Sequence, residues 1–263
     1  MTPRGHSVEP GDMRAAWDQL SPIYQAHHEF STANVHYGPW APLERDLQLL
    51  GDVGGRRVLE LGCGGGQCCI AFARQGATVT GVDFSAAQIA YARQLATQEH
   101  MSVQFIQGAA EDLSVLAAGA YDLVFTVNTL TYIADAAACL AECYRVLVPG
   151  GRLVLALDHP LRHCFLDPGL TGIDDDWSIV PVRRYYDEGW HRWRWPGSHV
   201  VLQSYHRTIG QWTDLLVGAG MQLIRIVEPL PPADLLDDIL PEDGALAPLR
   251  LVPHVAIFMA QKG

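Results

Sequence analysis

Val58-Leu59-Glu60-Leu61-Gly62-Cys63-Gly64-Gly65-Gly66 decides the fold: an apolar run broken by one acid leads into a loop with four glycines in five positions. Val58, Leu59 and Leu61 suit a buried strand, and the residues after Gly66 suit a helix. Glycine has no Cβ, tolerates positive φ and lets a ligand lie against bare main chain. A strand, a glycine turn and a helix in that order point to a nucleotide cofactor, the alternative being a tight turn that holds nothing.

Outward from this stretch, residues 56 to 157 alternate short apolar runs with alanine-rich segments. Strands are expected at 56–61, 78–83, 102–106, 121–127 and 151–157, and helices near 66–75, 85–98 and 135–147. The strands are apolar almost throughout, as expected when helices cover both faces of a parallel sheet. A doubly wound α/β domain follows. Upstream, residues 1–10 read as a loose tail. Met13, Trp17 and Leu20 mark a helix, and Ser21-Pro22 reads as the N-cap and first turn of a second short one. Leu43, Leu47 and Leu50 mark a further helical face. Downstream, 190–195 and 200–205 flank Pro196-Gly197-Ser198 and read as a hairpin. A helix at 208–219, a strand at 221–228, a proline-rich loop from Pro229 to Pro253 and a strand at 254–261 complete the chain.

The second decisive signal is Val79-Thr80-Gly81-Val82-Asp83, which places a carboxylate at the end of the next strand, at the spacing that puts an acid on a ribose. The competing role for Asp83 is capping the helix that begins near Ser85. A nicotinamide dinucleotide is the other cofactor to weigh, but its fingerprint wants a third glycine where this chain has Gln67, and Glu60 sits two residues before the first glycine.

Glu60-Leu61-Gly62-Cys63-Gly64-Gly65-Gly66, Gly81-Val82-Asp83, Tyr121-Asp122-Leu123-Val124 and Leu147-Val148-Pro149-Gly150-Gly151, in that order over residues 35 to 160, resemble class I S-adenosylmethionine-dependent methyltransferases. The resemblance implies a seven-stranded Rossmann-like sheet of order 3-2-1-4-5-7-6 with strand 7 antiparallel. It implies S-adenosyl-L-methionine as cofactor and S-adenosyl-L-homocysteine as product. Glu60, Gly62, Cys63 and Gly64 would then lie along the methionyl part, Asp83 on the ribose and Phe84 beside the adenine. The adenine amino contact shifts to Ala110 and Glu111 or to Asp112, because the usual Gly-Asp pair is here Gly108-Ala109. Asn128 and Thr129 would meet the methionyl group, and Tyr37 would close over the cofactor or simply pack.

Methyl transfer from a sulfonium is an in-line displacement, so alignment and exclusion of water are the main demands on the protein. Where the acceptor must lose a proton, a histidine near neutrality is a common base. His159, after the fifth strand, and His206, where the chain re-enters the domain, are the candidates; for both the competing role is structural hydrogen bonding. Residues 158–207 hold four of the seven tryptophans, Trp177, Trp190, Trp193 and Trp195. They read either as a lid over the acceptor or as a small core of their own. On a strand, His191, Trp193 and Trp195 would share one face and Arg192 and Arg194 the other. His159-Pro160, Tyr186-Asp187-Glu188-Gly189 and His206-Arg207-Thr208 resemble a subset of these enzymes without an agreed acceptor. Tyr24, Tyr132, Trp193 and Arg207 are the residues expected to meet the acceptor.

Composition narrows the partners. The chain has 263 residues, 49% of them hydrophobic, with 18 Lys plus Arg against 29 Asp plus Glu, a formal charge of −11. A polyanion is repelled on average, which disfavours nucleic acid and anionic membrane. Arg183, Arg184, Arg192, Arg194 and Arg207 are offset by Asp158, Asp167, Asp174, Asp175, Asp176, Asp187 and Glu188. No apolar run is long enough to span a bilayer. Six cysteines make no disulfide scaffold at this length, and Cys63, Cys68 and Cys69 converge poorly for zinc, so a cytoplasmic protein without a metal is expected. The expected organisation is an N-terminal helical cap at 1–50, the cofactor-binding core at 51–158, a lid at 159–207 and completion of the sheet at 208–263. The expected function is methyl transfer to a small-molecule O- or N-nucleophile, with a protein or RNA acceptor, or a cofactor-binding module without turnover, as the alternatives. A homodimer is compatible with the sequence.

Overall fold

Alternate residues of a strand face opposite sides of its sheet, so a run such as Val58-Leu59 feeds two cores at once. The computed structural model describes residues 12–27, 30–133, 135–165, 185–195, 197–243 and 247–263. Its elements run α1 (Met13–His27), α2 (Glu44–Leu47), β1 (Arg57–Leu61), α3 (Gln67–Arg74), β2 (Thr78–Asp83), α4 (Ala86–Gln98), β3 (Gln104–Gln107), β4 (Tyr121–Val127), α5 (Ala136–Val146) and β5 (Leu147–Asp158). After these come β6 (Gly189–Arg194), β7 (Val201–His206), α6 (Ile209–Gly218), β8 (Met221–Val227), α7 (Ala233–Ile239) and β9 (Val255–Lys262).

The sheet order is β3-β2-β1-β4-β5-β9-β8. Strands β1 to β5 are parallel, and β9 runs antiparallel between β5 and β8. This is the expected seven-stranded order with the last strand reversed. Val58, Phe125, Val154 and Ile257 pack on one face with Ile70, Phe72 and Ile89 of α3 and α4. Leu59, Val124, Leu155 and Phe258 pack on the other with Leu140 of α5 and Trp212 of α6. Each such side chain, once fully buried, contributes roughly 1.5–3 kcal/mol. The carboxyl ends of β1, β2, β4 and β5 share one edge, where ligands of open α/β sheets collect at the change of strand order between β1 and β4.

Four expectations needed correction. Helix α1 runs unbroken through Pro22 instead of restarting there. An interior proline costs about 3 kcal/mol, and the Trp17, Leu20, Tyr24 stripe continues across it into packed surroundings that outweigh this. The helix expected around 43–50 is the single turn α2, which Gln48 ends with φ +52. The loop from 229 to 253 contains α7 after Pro231-Pro232 and a 3-10 segment, Ala247–Leu251. Finally, β5 begins at Leu147, and its pairing with β4 shifts between Tyr121 and Leu123 opposite the Pro149-Gly150-Gly151 bulge. The hairpin forms as β6 and β7, paired from Gly189↔His206 to Arg194↔Val201. Arg192 and Arg194 are exposed while His191, Trp193 and Trp195 are half-buried, the alternation read from the sequence. Residues 1–10, Trp177, Arg183, Arg184, Pro196 and the acids 167 and 174–176 lie outside the described residues.

Candidate active site

The glycine turn is held from both sides. Gly62 has φ +65, and a Cβ there would stand 1.9 Å from Thr129 Oγ1, so only glycine fits. The Gly62 and Cys63 N–H groups donate to the Val82 carbonyl at 2.7 and 3.0 Å, fastening the turn to β2. Asp83, at the end of β2, accepts from Gly64 N–H and from Ser85 N–H, each at 2.9 Å. Ser85 in turn caps α4 by accepting from Gln88 N–H. Asp83 therefore ties the turn to the start of α4, while each of its oxygens keeps a second lone pair for a ligand. Burial raises its pKa to about 6, and the two N–H donors hold it from going higher.

A cleft opens above this turn, lined by Glu60, Gly62, Cys63 and Gly64 together with Tyr24, His36 and Asn128. Glu60 is 5% exposed. Its Oε2 is buried without a hydrogen-bond partner. Burial pushes its pKa up to about 8, drawn partly back by hydrogen bonds from Cys69. An unpartnered buried carboxylate oxygen facing a cleft calls for a donor, and a cationic one above all.

Helix α1 covers the cleft. Asp18 Oδ1 accepts from Ser85 Oγ–H at 2.6 Å and from Ala87 N–H at 3.1 Å, beside Asp83. In its last turn, Gln25 donates to Gln88 at 2.8 Å and accepts from Gln67 at 2.6 Å, a buried chain of amides lying against Gly65. Cys68 exchanges hydrogen bonds with the main chain of His36, pinning the segment after α1 to α3.

Of the expected cofactor residues, Glu60, Gly62, Cys63, Gly64 and Asn128 line the cleft and Asp83 reaches it through Gly64. Tyr37 does not: it is fully buried against Phe125 and donates its hydroxyl to Glu44, so its neighbours His36 and Gly38 take that wall instead. Thr129 directs its hydroxyl at the Leu61 and Val127 carbonyls, bracing the turn from beneath. Phe84 and Ala110 are half-buried near the ends of β2 and β3, and Glu111 is exposed; none of the three lines this cleft. Asp112 caps Ser114 N–H.

Of the residues expected to meet the acceptor, Tyr24 and Tyr132 come together around Trp17, at ring distances of 5.4 and 5.5 Å, and Trp195 meets Tyr24 at 5.2 Å. Trp193 lies behind Trp195 at 6.0 Å. Both histidines make structural hydrogen bonds. His159 donates Nε2–H to Glu228 at 2.7 Å and accepts at Nδ1 from Leu161 N–H at 3.1 Å, a tautomer set by those partners. His206 is buried and donates Nε2–H to the Tyr185 carbonyl at 2.9 Å. Arg207 is buried too, donating to the Ile133 carbonyl with its guanidinium over Tyr205 and Trp212. It braces β7, α6 and the turn after β4. Sequence reasoning missed Asp18 and Gln25, although their spacing of seven places them on one face of a helix.

Residues 59–155 match the family described as Methyltransferase domain. A ubiquinone biosynthesis O-methyltransferase of Alkalilimnicola ehrlichii is 36% identical over 117 residues, 44% of this chain and 47% of that one. One of Bradyrhizobium sp. is 36% identical over 162 residues, 58% of this chain and 63% of that one. The chain thus spans about half the length of the curated relatives it matches. A crystal structure of an S-adenosylmethionine-dependent methyltransferase of Mesorhizobium loti superposes with TM-score 0.65 at 25% identity, covering 82% of this chain and 95% of that one. The methyltransferase domain at residues 59–155 and this similar structure support the class I S-adenosylmethionine-dependent methyltransferase superfamily. The cofactor of that superfamily fits the residues present. The unpartnered Glu60 oxygen suits the methionyl ammonium, Asp83 has lone pairs for ribose hydroxyls, and the open space at Gly64 leaves main chain bare. Glu60, an acid beside the turn where a dinucleotide would set its pyrophosphate, suits a cationic group and disfavours a dinucleotide.

Proposed function

We propose that this methyltransferase moves the methyl group of S-adenosylmethionine to a small-molecule acceptor with an O or N nucleophile. The observation that carries the reading is the pair of buried carboxylates, Glu60 and Asp83, one with an unpartnered oxygen, on either side of a glycine turn that only glycine can form. The bound cofactor supplies an already activated methyl group. The residues of this chain bind and orient it: Glu60 takes the ammonium, Asp83 the sugar hydroxyls, and the Gly62–Gly65 main chain the thioether side. Helix α1, clasped through Asp18 and Gln25, excludes water from the reacting atoms.

A small acceptor is favoured by the charge of −11, by the aromatic rings of α1 and the β6–β7 hairpin, and by the similarity to ubiquinone biosynthesis O-methyltransferases. Calorimetry with S-adenosylmethionine and S-adenosylhomocysteine, followed by a labelled-methyl screen of extracted metabolites, tests the reading. Asp83→Ala should weaken cofactor binding by about 1–3 kcal/mol, or roughly 5- to 150-fold, the scale of a lost charged hydrogen-bond partner. Unchanged affinity removes Asp83 from the site. Cofactor binding without S-adenosylhomocysteine release in any fraction rejects turnover.

A further inference from the structure

We propose that the side-chain amide of Asn128 reads the carboxylate of the cofactor's amino-acid end, so that one cleft tests for both charges of an α-amino acid, the ammonium at Glu60 and the carboxylate at Asn128. The inference rests on the methyl-transfer reading and adds the residue that selects a ligand with an intact amino-acid head.

Asn128 directly follows β4 and holds φ +52, a left-handed backbone that most side chains avoid and asparagine tolerates. Its main chain is fixed from both directions. The N–H donates to the Ala156 carbonyl at 2.9 Å, and the carbonyl accepts from the Thr131 hydroxyl at 3.3 Å. The side chain is oriented as firmly. Oδ1 accepts from the Asp158 N–H at 2.9 Å, which assigns the two ends of the amide, since Nδ2 in that place would set donor against donor. Nδ2 is therefore the end left for another partner, and none takes it among the described residues.

Gly38 shows where Nδ2 lies. A Cβ added to Gly38 would stand 3.4 Å from it, and Gly38 and Asn128 both line the cleft that holds Glu60. With φ +102, Gly38 brings bare main chain beside the amide. Two complementary demands thus meet in one cleft: the buried Glu60 Oε2 asks for a donor, and Asn128 Nδ2 asks for an acceptor. A ligand with an ammonium and a carboxylate on one carbon meets both, whereas a simple amine meets only the first. A bond from Nδ2 to an ionised carboxylate is of the stronger, charge-assisted kind. Left-handed strain at a non-glycine residue persists where the side chain it aims has a task, and here the amide both ties β4 to β5 and faces the ligand.

Calorimetry on wild type and Asn128→Asp tests the assignment with two ligands, S-adenosylhomocysteine and the 3-aminopropyl thioether of adenosine, which lacks only its carboxylate. Aspartate tolerates the same backbone and keeps an oxygen for the Asp158 N–H, but it replaces the donor by an anion. Asn128→Asp should bind S-adenosylhomocysteine at least about tenfold more weakly, the scale of a lost hydrogen bond to a charged group, and the thioether within about twofold of wild type. A brace that only holds the strands together would weaken both ligands alike, because both use Glu60 and Asp83. A loss for the thioether as large as that for S-adenosylhomocysteine, no loss for either, or a wild type that binds the two equally well overturns the role of Asn128. Uptake of S-adenosylhomocysteine but not of the thioether by wild type overturns the division of the two charges between Glu60 and Asn128. No S-adenosylhomocysteine binding by wild type overturns the methyl-transfer reading instead. Should Asn128→Asp not fold, Asn128→Gly carries the test: glycine adopts the left-handed backbone freely and lacks the amide, so S-adenosylhomocysteine should bind at least about fivefold more weakly and the thioether unchanged.

Discussion

A histidine at the carboxyl edge of a sheet invites a catalytic role, yet His159 has both ring nitrogens in hydrogen bonds with this chain and is 4% exposed. His159→Ala would leave Leu161 N–H and the Glu228 carboxylate without their partner. The expected outcome is a loss of about 1–3 kcal/mol in unfolding free energy with cofactor affinity unchanged. Chemical denaturation alongside calorimetry checks it, and a variant of full stability with weakened cofactor binding would return His159 to the site. Residues whose chemistry is fixed by local spacing were legible from sequence: Glu60, Gly62, Gly64 and Asp83 lie within one strand and its turn or at the end of the next. Tyr37 was not, because the choice between cleft and core hangs on Glu44 and Phe125, contacts that no local pattern encodes.

At the scale of the element, α1 joins both halves of the site. Asp18 and Gln25 face α4 and the glycine turn, while Trp17 and Tyr24 face Tyr132 and Trp195. Its clasp consists of a few polar contacts, each worth about 0.5–1.5 kcal/mol, so it can open without unfolding the sheet. Asp18→Ala and Gln25→Ala should each raise both the association and dissociation rates of S-adenosylhomocysteine, by about 5- to 10-fold, with a smaller change in Kd. Stopped-flow tryptophan fluorescence measures the rates, and hydrogen exchange should report faster opening confined to α1. Unchanged rates would make α1 a fixed wall. The sheet strands were legible because buried parallel strands are continuously apolar; α1 and α7 were misread because proline was taken as a break at Pro22 and as a loop marker from Pro229 onward. In both cases packing or a helix start just after the prolines decided otherwise.

For the whole molecule, charges of opposite tendency set a window of stability against pH. Asp122 and Glu142 sit below the usual carboxylate range through hydrogen bonds with Arg57 and Arg145, so their contribution is present above the unfolded pKa and is lost as pH falls through the folded one. Glu60 runs the other way. With its pKa raised from 4.5 to about 8, the folded ligand-free protein holds a proton that the unfolded chain releases, and stability declines as pH rises from about 4.5 to about 8. Asp83, raised to about 6, adds a decline of the same sign at lower pH. A methionyl ammonium beside Glu60 favours its carboxylate, so binding releases the proton and stabilisation by the cofactor grows with pH up to about 8. S-adenosylmethionine at a hundred times its Kd should stabilise by about 2.7 kcal/mol, a rise in Tm of roughly 5–10 °C for a chain of this size. Thermal melts at pH 6 and pH 8, at one fixed cofactor concentration, should show a lower ligand-free Tm and a larger cofactor shift at pH 8. Glu60→Gln, which cannot ionise, should weaken both differences together, leaving the smaller share owed to Asp83. Equal cofactor shifts at the two pH values in wild type would mean that Glu60 is not the group that meets the cationic end of the cofactor.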